Sequence, residues 1–280
     1  MTPVSPFFPI RTRFHVAAAA VAALAIQAAT ANDTAVNAAA YGPEPVAGLN
    51  GEESVIRMES EKIDVTFGRE ETKVHCRFVF RSGEKSREVK QVLGFPDHEG
   101  NDVNAIIRMV TKVDGKEVPS QKQNGWFRTD REGPATLGAA PEGEDVVKTE
   151  FHTVPVTFPP DRDVVVERIY TVANGGSVRG DKTFYYTTRT GGVWRGTIGR
   201  AEFSVTLDGW TVDDLAFEDG PQTVAPRIQA GFSSPNKSEW TVESPTRMTL
   251  VWKNFEPAVH QTRQGIRLAT WVGKDWRTPR

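Results

Sequence analysis

From residue 56 onward, apolar and polar residues alternate in short runs separated by glycine, proline and asparagine. Ile63, Val65 and Phe67 alternate with Asp64 and Thr66, and Val74, Cys76, Phe78 and Phe80 alternate with His75, Arg77 and Val79. A period of two places each set on one face of a strand. Gly68-Arg69-Glu70-Glu71 reads as the turn between these strands, and residues 81–85 as the next turn, through Ser82-Gly83. Residues 89–95 follow as a strand broken at Pro96. Residues 106–113 alternate again and pass through Asp114-Gly115, a strong hairpin signal, into Glu117-Val118. Further strands are expected at 151–158, 164–172, 184–188, 201–207, 239–242, 248–252 and 266–272, with turns at Pro159-Pro160-Asp161 and Asn174-Gly175-Gly176. Only single helical turns are expected, one capped by Asp33 and stopped at Gly42-Pro43, the other at 213–217. This pattern predicts an all-β, mainly antiparallel fold of the β-sandwich type.

Residues 119–145 lose the alternation. They hold Pro119, Gly125, Gly133, Pro134, Gly138, Pro141 and Gly143, with Trp126 and Phe127 embedded among them. A long aperiodic stretch in a compact protein connects lobes or carries function. The expected organisation is therefore an N-terminal β-sandwich lobe at 32–120, a connecting loop at 121–150 and a C-terminal β lobe at 151–280.

The first 31 residues differ from all of this. Arg11 and Arg13 form a basic start, residues 16–25 are nearly all apolar, and Ala29-Thr30-Ala31 offers a cleavage signal before Asn32. Together they predict a secretory signal peptide. The apolar run falls short of the roughly 20 residues that a spanning helix needs. The expected product is soluble, without a membrane anchor, in the periplasm or outside the cell. Removing the two leader arginines takes the formal charge of −2 to −4. That mild acidity gives no footprint for nucleic acid. A single cysteine, Cys76, excludes an internal disulfide, and its place on an apolar strand face predicts a buried, inert thiol.

Several fragments in order carry a resemblance. They are Ala31-Asn32-Asp33-Thr34, Ile56-Arg57-Met58-Glu59-Ser60-Glu61, the strand at 74–80, Gly94-Phe95-Pro96, the run from Tyr185 through Thr190-Gly191-Gly192-Val193-Trp194-Arg195-Gly196 to Gly199, and Trp252-Lys253-Asn254-Phe255-Glu256-Pro257. In this order the chain resembles the DUF4424 family of exported bacterial proteins, which has no assigned activity. The resemblance implies a secreted or periplasmic β-rich protein and supplies no catalytic residues. Physically, the Tyr185–Gly199 run is a strand entering a glycine-permitted turn, and Pro257 ends a strand. Both read as topological fixtures.

Catalytic patterns are missing from the sequence. The four histidines after the leader, His75, His98, His152 and His260, show no zinc spacing. There is no nucleophile elbow, phosphate loop or dinucleotide fingerprint, so no cofactor is expected. Asp97-His98-Glu99-Gly100-Asn101-Asp102 is the densest polar cluster, and Asp97, Glu99 and Asp102 form a weak calcium candidate. Calcium takes about six to eight oxygens, but this spacing is not that of an EF-hand, so a solvated loop is expected instead. Of seven tryptophans, six lie in or beside expected strands and should fill the core. Trp126 lies in the aperiodic stretch with Phe127, Arg128 and Arg131, which makes that patch the expected ligand- or partner-facing surface, with insertion into the core as the alternative.

The sequence thus points to an exported, soluble, non-enzymatic β-sandwich protein. It is expected to bind a protein, an envelope component or a small ligand through its loops. The competing expectation is an envelope hydrolase acting on glycan or peptide, with paired carboxylates about 5–9.5 Å apart supplied by separate strands.

Overall fold

A computed structural model describes residues 39–41, 44–45, 55–99, 106–128, 136–143, 145–176, 180–217, 237–257 and 265–270. The leader, Asp102, Arg131, His260, Trp271 and Trp276 lie outside the described residues, as do the side chains of Glu99, Phe127 and Arg128.

The described chain is all-β, mainly antiparallel, with three single 3-10 turns at Arg189–Val193, Val212–Asp214 and Lys237–Glu239. The first two strands are short, β1 (Ala39–Tyr41) and β2 (Glu44–Pro45). The next two are long, 12 residues each, β3 (Ile56–Phe67) and β4 (Glu71–Ser82). Then come β5 (Val89–Glu99), β6 (Ile106–Val113), β7 (Lys116–Val118), β8 (Gln121–Arg128), β9 (Thr136–Leu137), β10 (Val146–Phe158) and β11 (Asp163–Ala173). The chain finishes with β12 (Gly175–Gly176), β13 (Lys182–Thr187), β14 (Ile198–Leu207), β15 (Thr241–Ser244), β16 (Arg247–Phe255) and β17 (Gly265–Ala269).

Three sheets form. An eight-stranded sheet runs β15-β16-β14-β3-β4-β11-β6-β7, parallel only at β14–β3. A five-stranded antiparallel sheet runs β2-β5-β10-β8-β9. A smaller sheet centres on β13, which pairs with β1, β12 and β17. In β4 the alternation is clean: Thr72, Val74, Cys76, Phe78, Phe80 and Ser82 point inward. Phe78 meets Phe95 at 6.1 Å and Phe80 meets Phe158 at 6.0 Å, which joins the large sheet to the five-stranded one. Tyr186 meets Phe203 at 6.0 Å and joins it to the smallest sheet. Full burial of such side chains contributes about 1.5–3 kcal/mol each. Trp194, Trp210, Trp240 and Trp252 fill this core as the strand pattern predicts.

Four expectations need correction. The stretch 121–150 is not a loop, because β8 and β9 lie in it and β10 begins there. β8 pairs with β10 from Gln121↔Thr153 to Arg128↔Val146. Its residues Gln121, Lys122, Gln123 and Asn124 are polar on both faces, so the pairing leaves no apolar alternation to read. Gly125 is required where it stands, since any Cβ there would collide with the Phe151 ring.

The lobes are also not consecutive stretches of chain. The large sheet takes β3, β4, β6 and β7 from before residue 120 and β11, β14, β15 and β16 from after 150, so the boundaries 32–120 and 151–280 do not separate them. Long-range strand pairing is compatible with this, because closure entropy grows only slowly with loop length.

Pro96 does not break its strand. β5 continues to Glu99, and the register shift opposite Glu150/Phe151 absorbs one extra residue as a bulge. Finally, the expected helical turn ending at Ala40 gives way to strand β1, where β13 supplies a parallel partner that local propensity cannot anticipate.

Candidate functional site

The cluster expected as a solvated loop, with Asp97, Glu99 and Asp102 as a weak calcium candidate, begins instead inside β5, and Asp97 is held there by protein groups. The β5 bulge turns Asp97 inward until its side chain is 1% exposed. Its Oδ1 accepts the Ile106 backbone N–H at 2.6 Å. Its Oδ2 accepts Lys122 Nζ at 3.1 Å and faces His152 Nε2 at 3.3 Å. Burial alone would raise this carboxyl, but the hydrogen bonds from His152, Ile106 and Lys122 outweigh it and hold the pKa below the usual value. Lys122 also donates to Glu150 at 2.7 Å. This network staples the start of β6 to the five-stranded sheet. The hydroxyl next along the chain, Thr153, donates to Gln121 O and accepts from Gln123 Nε2, so both its roles are taken. Among the described residues no group of three or more His, Cys, Asp or Glu is gathered to hold a metal.

Trp126 is half-buried, and its indole N–H donates to Gly138 O at 2.9 Å, which fastens β8 to the turn after β9. Phe127 and Arg128 continue β8 opposite Val147 and Val146.

A polar seam runs through the core. Arg168 projects inward from β11 and is fully buried. It donates to His152 O at 3.0 Å and to Met109 Sδ at 2.7 Å, and its guanidinium lies 3.2 Å from the centre of the Phe95 ring, while Nε has no partner. Cys76, opposite it on β4, is buried with Sγ 3.8 Å from the Tyr170 hydroxyl, and burial pushes its thiol pKa up. Glu61 enters the same core because the bulge between Met58 and Ser60 shifts β3 by one residue. Burial raises its pKa to about 8, with the nearby Tyr186 hydroxyl pulling slightly the other way. Perturbed groups often mark active sites. Here neither described cleft is lined by any of them.

A different place is open. A cleft of about 460 Å³ lies at one end of the large sheet, lined by Val55, Arg57, Glu59, Arg81, Ser82, Gly83, Arg195, Gly196 and Thr197. Arg57 near the start of β3 and Arg81 near the end of β4 are direct cross-strand partners and point to the same outer face. The third arginine arrives by a separate route. The 3-10 turn at Arg189–Val193 leads to Trp194, which is 3% exposed and sits 4.7 Å from Phe80. With Trp194 anchored inward, the next side chain is thrown outward. The Arg195 N–H is pinned to Ile56 O at 3.0 Å, and Gly196 turns the chain with a φ of 68°. Arg195 Nη1 then lies over Gly83, where an added Cβ would stand 2.7 Å away.

The ion pairs leave these arginines open on one side. Arg81 uses Nε toward Asp163 at 2.6 Å, and Arg57 uses Nε toward Glu59 at 3.8 Å. Arg195 makes no ion pair among the described residues. The cleft lining carries three arginines and one glutamate, and Asp163 pairs with Arg81 from outside the lining, so a net excess of one positive charge remains. A second cleft, of about 350 Å³, differs in charge: Lys237 faces Asp213 at 4.0 Å, with Glu243 alongside.

The Ile56–Glu61 fragment and the Tyr185–Gly199 run, the latter read from sequence as a topological fixture, thus meet at the arginine cleft. Sequence reasoning missed Arg57, Arg81 and Arg195 as a group, since their convergence depends on strand register and on how Trp194 packs. The Trp194-Arg195-Gly196 order, an anchor, an outward charge and a turn, was the available signal.

No family model and no curated protein matches the chain. Among solved structures it is similar to one from Legionella pneumophila named "putative nutrient binding protein", at 19% identity and a TM-score of 0.61, covering 85% of this chain and 72% of that one. At that identity the likeness shows a shared fold. Weaker similarity extends to an M1 zinc metallopeptidase from Deinococcus radiodurans, at 11% identity and a TM-score of 0.36, over 78% of this chain and 42% of that one, which carries no argument about this chain.

Proposed function

We propose that the chain is an exported, non-enzymatic binding protein that takes a small ligand in the arginine cleft. The observation that carries this reading is the cleft itself: three arginines line it, and Arg57 and Arg81 meet their carboxylates through Nε. The fold shared with a protein named as nutrient-binding supports it. The basic, apolar and small-residue segments of the first 31 residues support export to the periplasm or the medium. The ordered fragments at 56–61, 185–199 and 252–257 support membership of the DUF4424 family. Trp126, Phe127, Arg128 and Arg131 form a second proposed surface, for a protein or envelope partner, supported by the half-exposed Trp126 ring.

The test is a thermal-shift screen of the purified protein against a panel of small metabolites. Binding at the cleft predicts at least one compound that raises the unfolding temperature of the wild type and loses its effect in Arg195→Ala. A compound that stabilises both equally, with none that discriminates, refutes the assignment of function to this cleft.

A further inference from the structure

We infer that the arginine cleft recognises a tetrahedral oxyanion of about two negative charges, a phosphate group borne either by the free ion or by an ester; this rests on the binding function proposed above. Charge gives the first argument. The lining has three arginines and Glu59, and Asp163 pairs with Arg81, so a net positive charge remains that favours an anion such as a phosphate group, which carries about −1.5 to −2 near neutral pH.

Geometry gives the second argument. Arg57 and Arg81 stand side by side through direct register, while Arg195 reaches in from a different element. Guanidinium groups from two directions suit a group with oxygens on several faces, and planar forks pair with phosphate oxygens two at a time. Arg81 holds Asp163 through Nε, which leaves its two terminal nitrogens for a ligand.

Donor capacity gives the third argument. Arg57 and Arg81 point outward, roughly half exposed, and each meets its carboxylate through Nε, while Arg195 makes no ion pair among the described residues. Size adds that the charged group does not fill the space. At about 460 Å³ the cleft lies within the ~300–1,000 Å³ range of small-molecule sites, leaving room beside Val55, Gly83 and Gly196 for the body of an ester.

Calorimetric titrations at low ionic strength test this, with inorganic phosphate, glycerol 3-phosphate and acetate as probes. Phosphate and its ester are expected to bind, acetate to bind far more weakly, and added salt to weaken the interaction. Arg195→Ala should reduce affinity about tenfold to a hundredfold, as loss of a charge-assisted contact does. Gly83→Ala keeps every charge but places a methyl group against Arg195 Nη1, so it should weaken binding while the protein stays folded. Lys73→Ala, exposed at the opposite end of β4 from the cleft, should change nothing. Tighter binding of the ester identifies an organic phosphate, and tighter binding of the free ion identifies phosphate itself. The inference is overturned if neither phosphate binds at about 10 mM, a level at which even a weak site fills, if acetate binds equally well, or if Arg195→Ala binds like wild type. Should a neutral compound bind in an Arg195-dependent way while phosphates do not, the oxyanion inference fails and the binding function survives. Should no compound of any class depend on Arg195, both fail.

Discussion

Glu61 offers the most direct test of how this core is built. It is 3% exposed, and its Oε1 has no hydrogen-bond partner. Burial raises its pKa from 4.5 to about 8. The folded chain therefore keeps a proton on Glu61 through neutral pH, while the unfolded chain releases it above about 4.3. The sign follows from linkage: with the folded pKa raised, stability is greatest below the unfolded pKa and falls as pH climbs toward the folded one. The slope between the two is about 1.4 kcal/mol per pH unit, so from pH 5 to pH 8 this one residue should remove about 3–4 kcal/mol. Glu61→Gln keeps the shape and cannot ionise. Urea unfolding of both proteins at pH 5, 6.5 and 8 should give stability curves that diverge with pH, the variant gaining about 3–4 kcal/mol relative to wild type across the range. A constant offset between the curves, whatever its size, would refute the reasoning, because it would mean that Glu61 is ionised or solvated in the folded protein.

Three other outcomes follow from the same coordinates. Cys76 is buried with its thiol pKa pushed up, so a thiol reagent should leave the native protein unlabelled and label it fully in urea; rapid native labelling would contradict the burial. Asp97 is held below its usual pKa, so it stabilises the fold above about pH 3.9 and loses that effect as pH falls through its lowered folded value. Asp97→Asn should thus be less stable than wild type at pH 7 by chemical denaturation, with the gap closing in strong acid; a gap that persists unchanged there would rule out the ionic network. Phe80 is fully buried against Trp194, Phe158 and Phe78, and Phe80→Ala should cost about 3–5 kcal/mol in urea unfolding, where a loss under about 1 kcal/mol would show that the aromatic cluster is not the packed centre.

The sequence made the inward faces of β3, β4, β11 and β14 legible because each buries one face and exposes the other, so alternation and burial coincide. Where that coincidence fails, legibility fails too. β8 is polar along both faces, and its strand character comes from β10, which pairs with it over its whole length. Pro96 looks like a stop until a bulge supplies the place where its missing N–H does no harm. Glu61 and Arg168 look like outward charges by residue type, yet one enters the core through the β3 bulge and the other through its phase on β11. The arginine cleft was hidden for a different reason. Arg57, Arg81 and Arg195 lie 24 to 138 positions apart along the chain, and only register and one packed tryptophan bring them together.

That tryptophan also explains why the cleft belongs to the fold and is not an accident of its surface. Trp194 and Arg195 are consecutive, one sealed against Phe80 and the other exposed at the cleft. Among the described residues, Arg195 is otherwise restrained by its backbone bond to Ile56 O, on the same strand that presents Arg57. The position of the third guanidinium is thus set from below by core packing and from the side by β3. A rigid element beneath a charged tip lowers the entropy lost when a ligand is held. An arginine on an unanchored loop would carry the same charge but lose more freedom on binding. The physical content of the Trp-Arg-Gly order is therefore the transfer of core rigidity to a surface charge at the cleft.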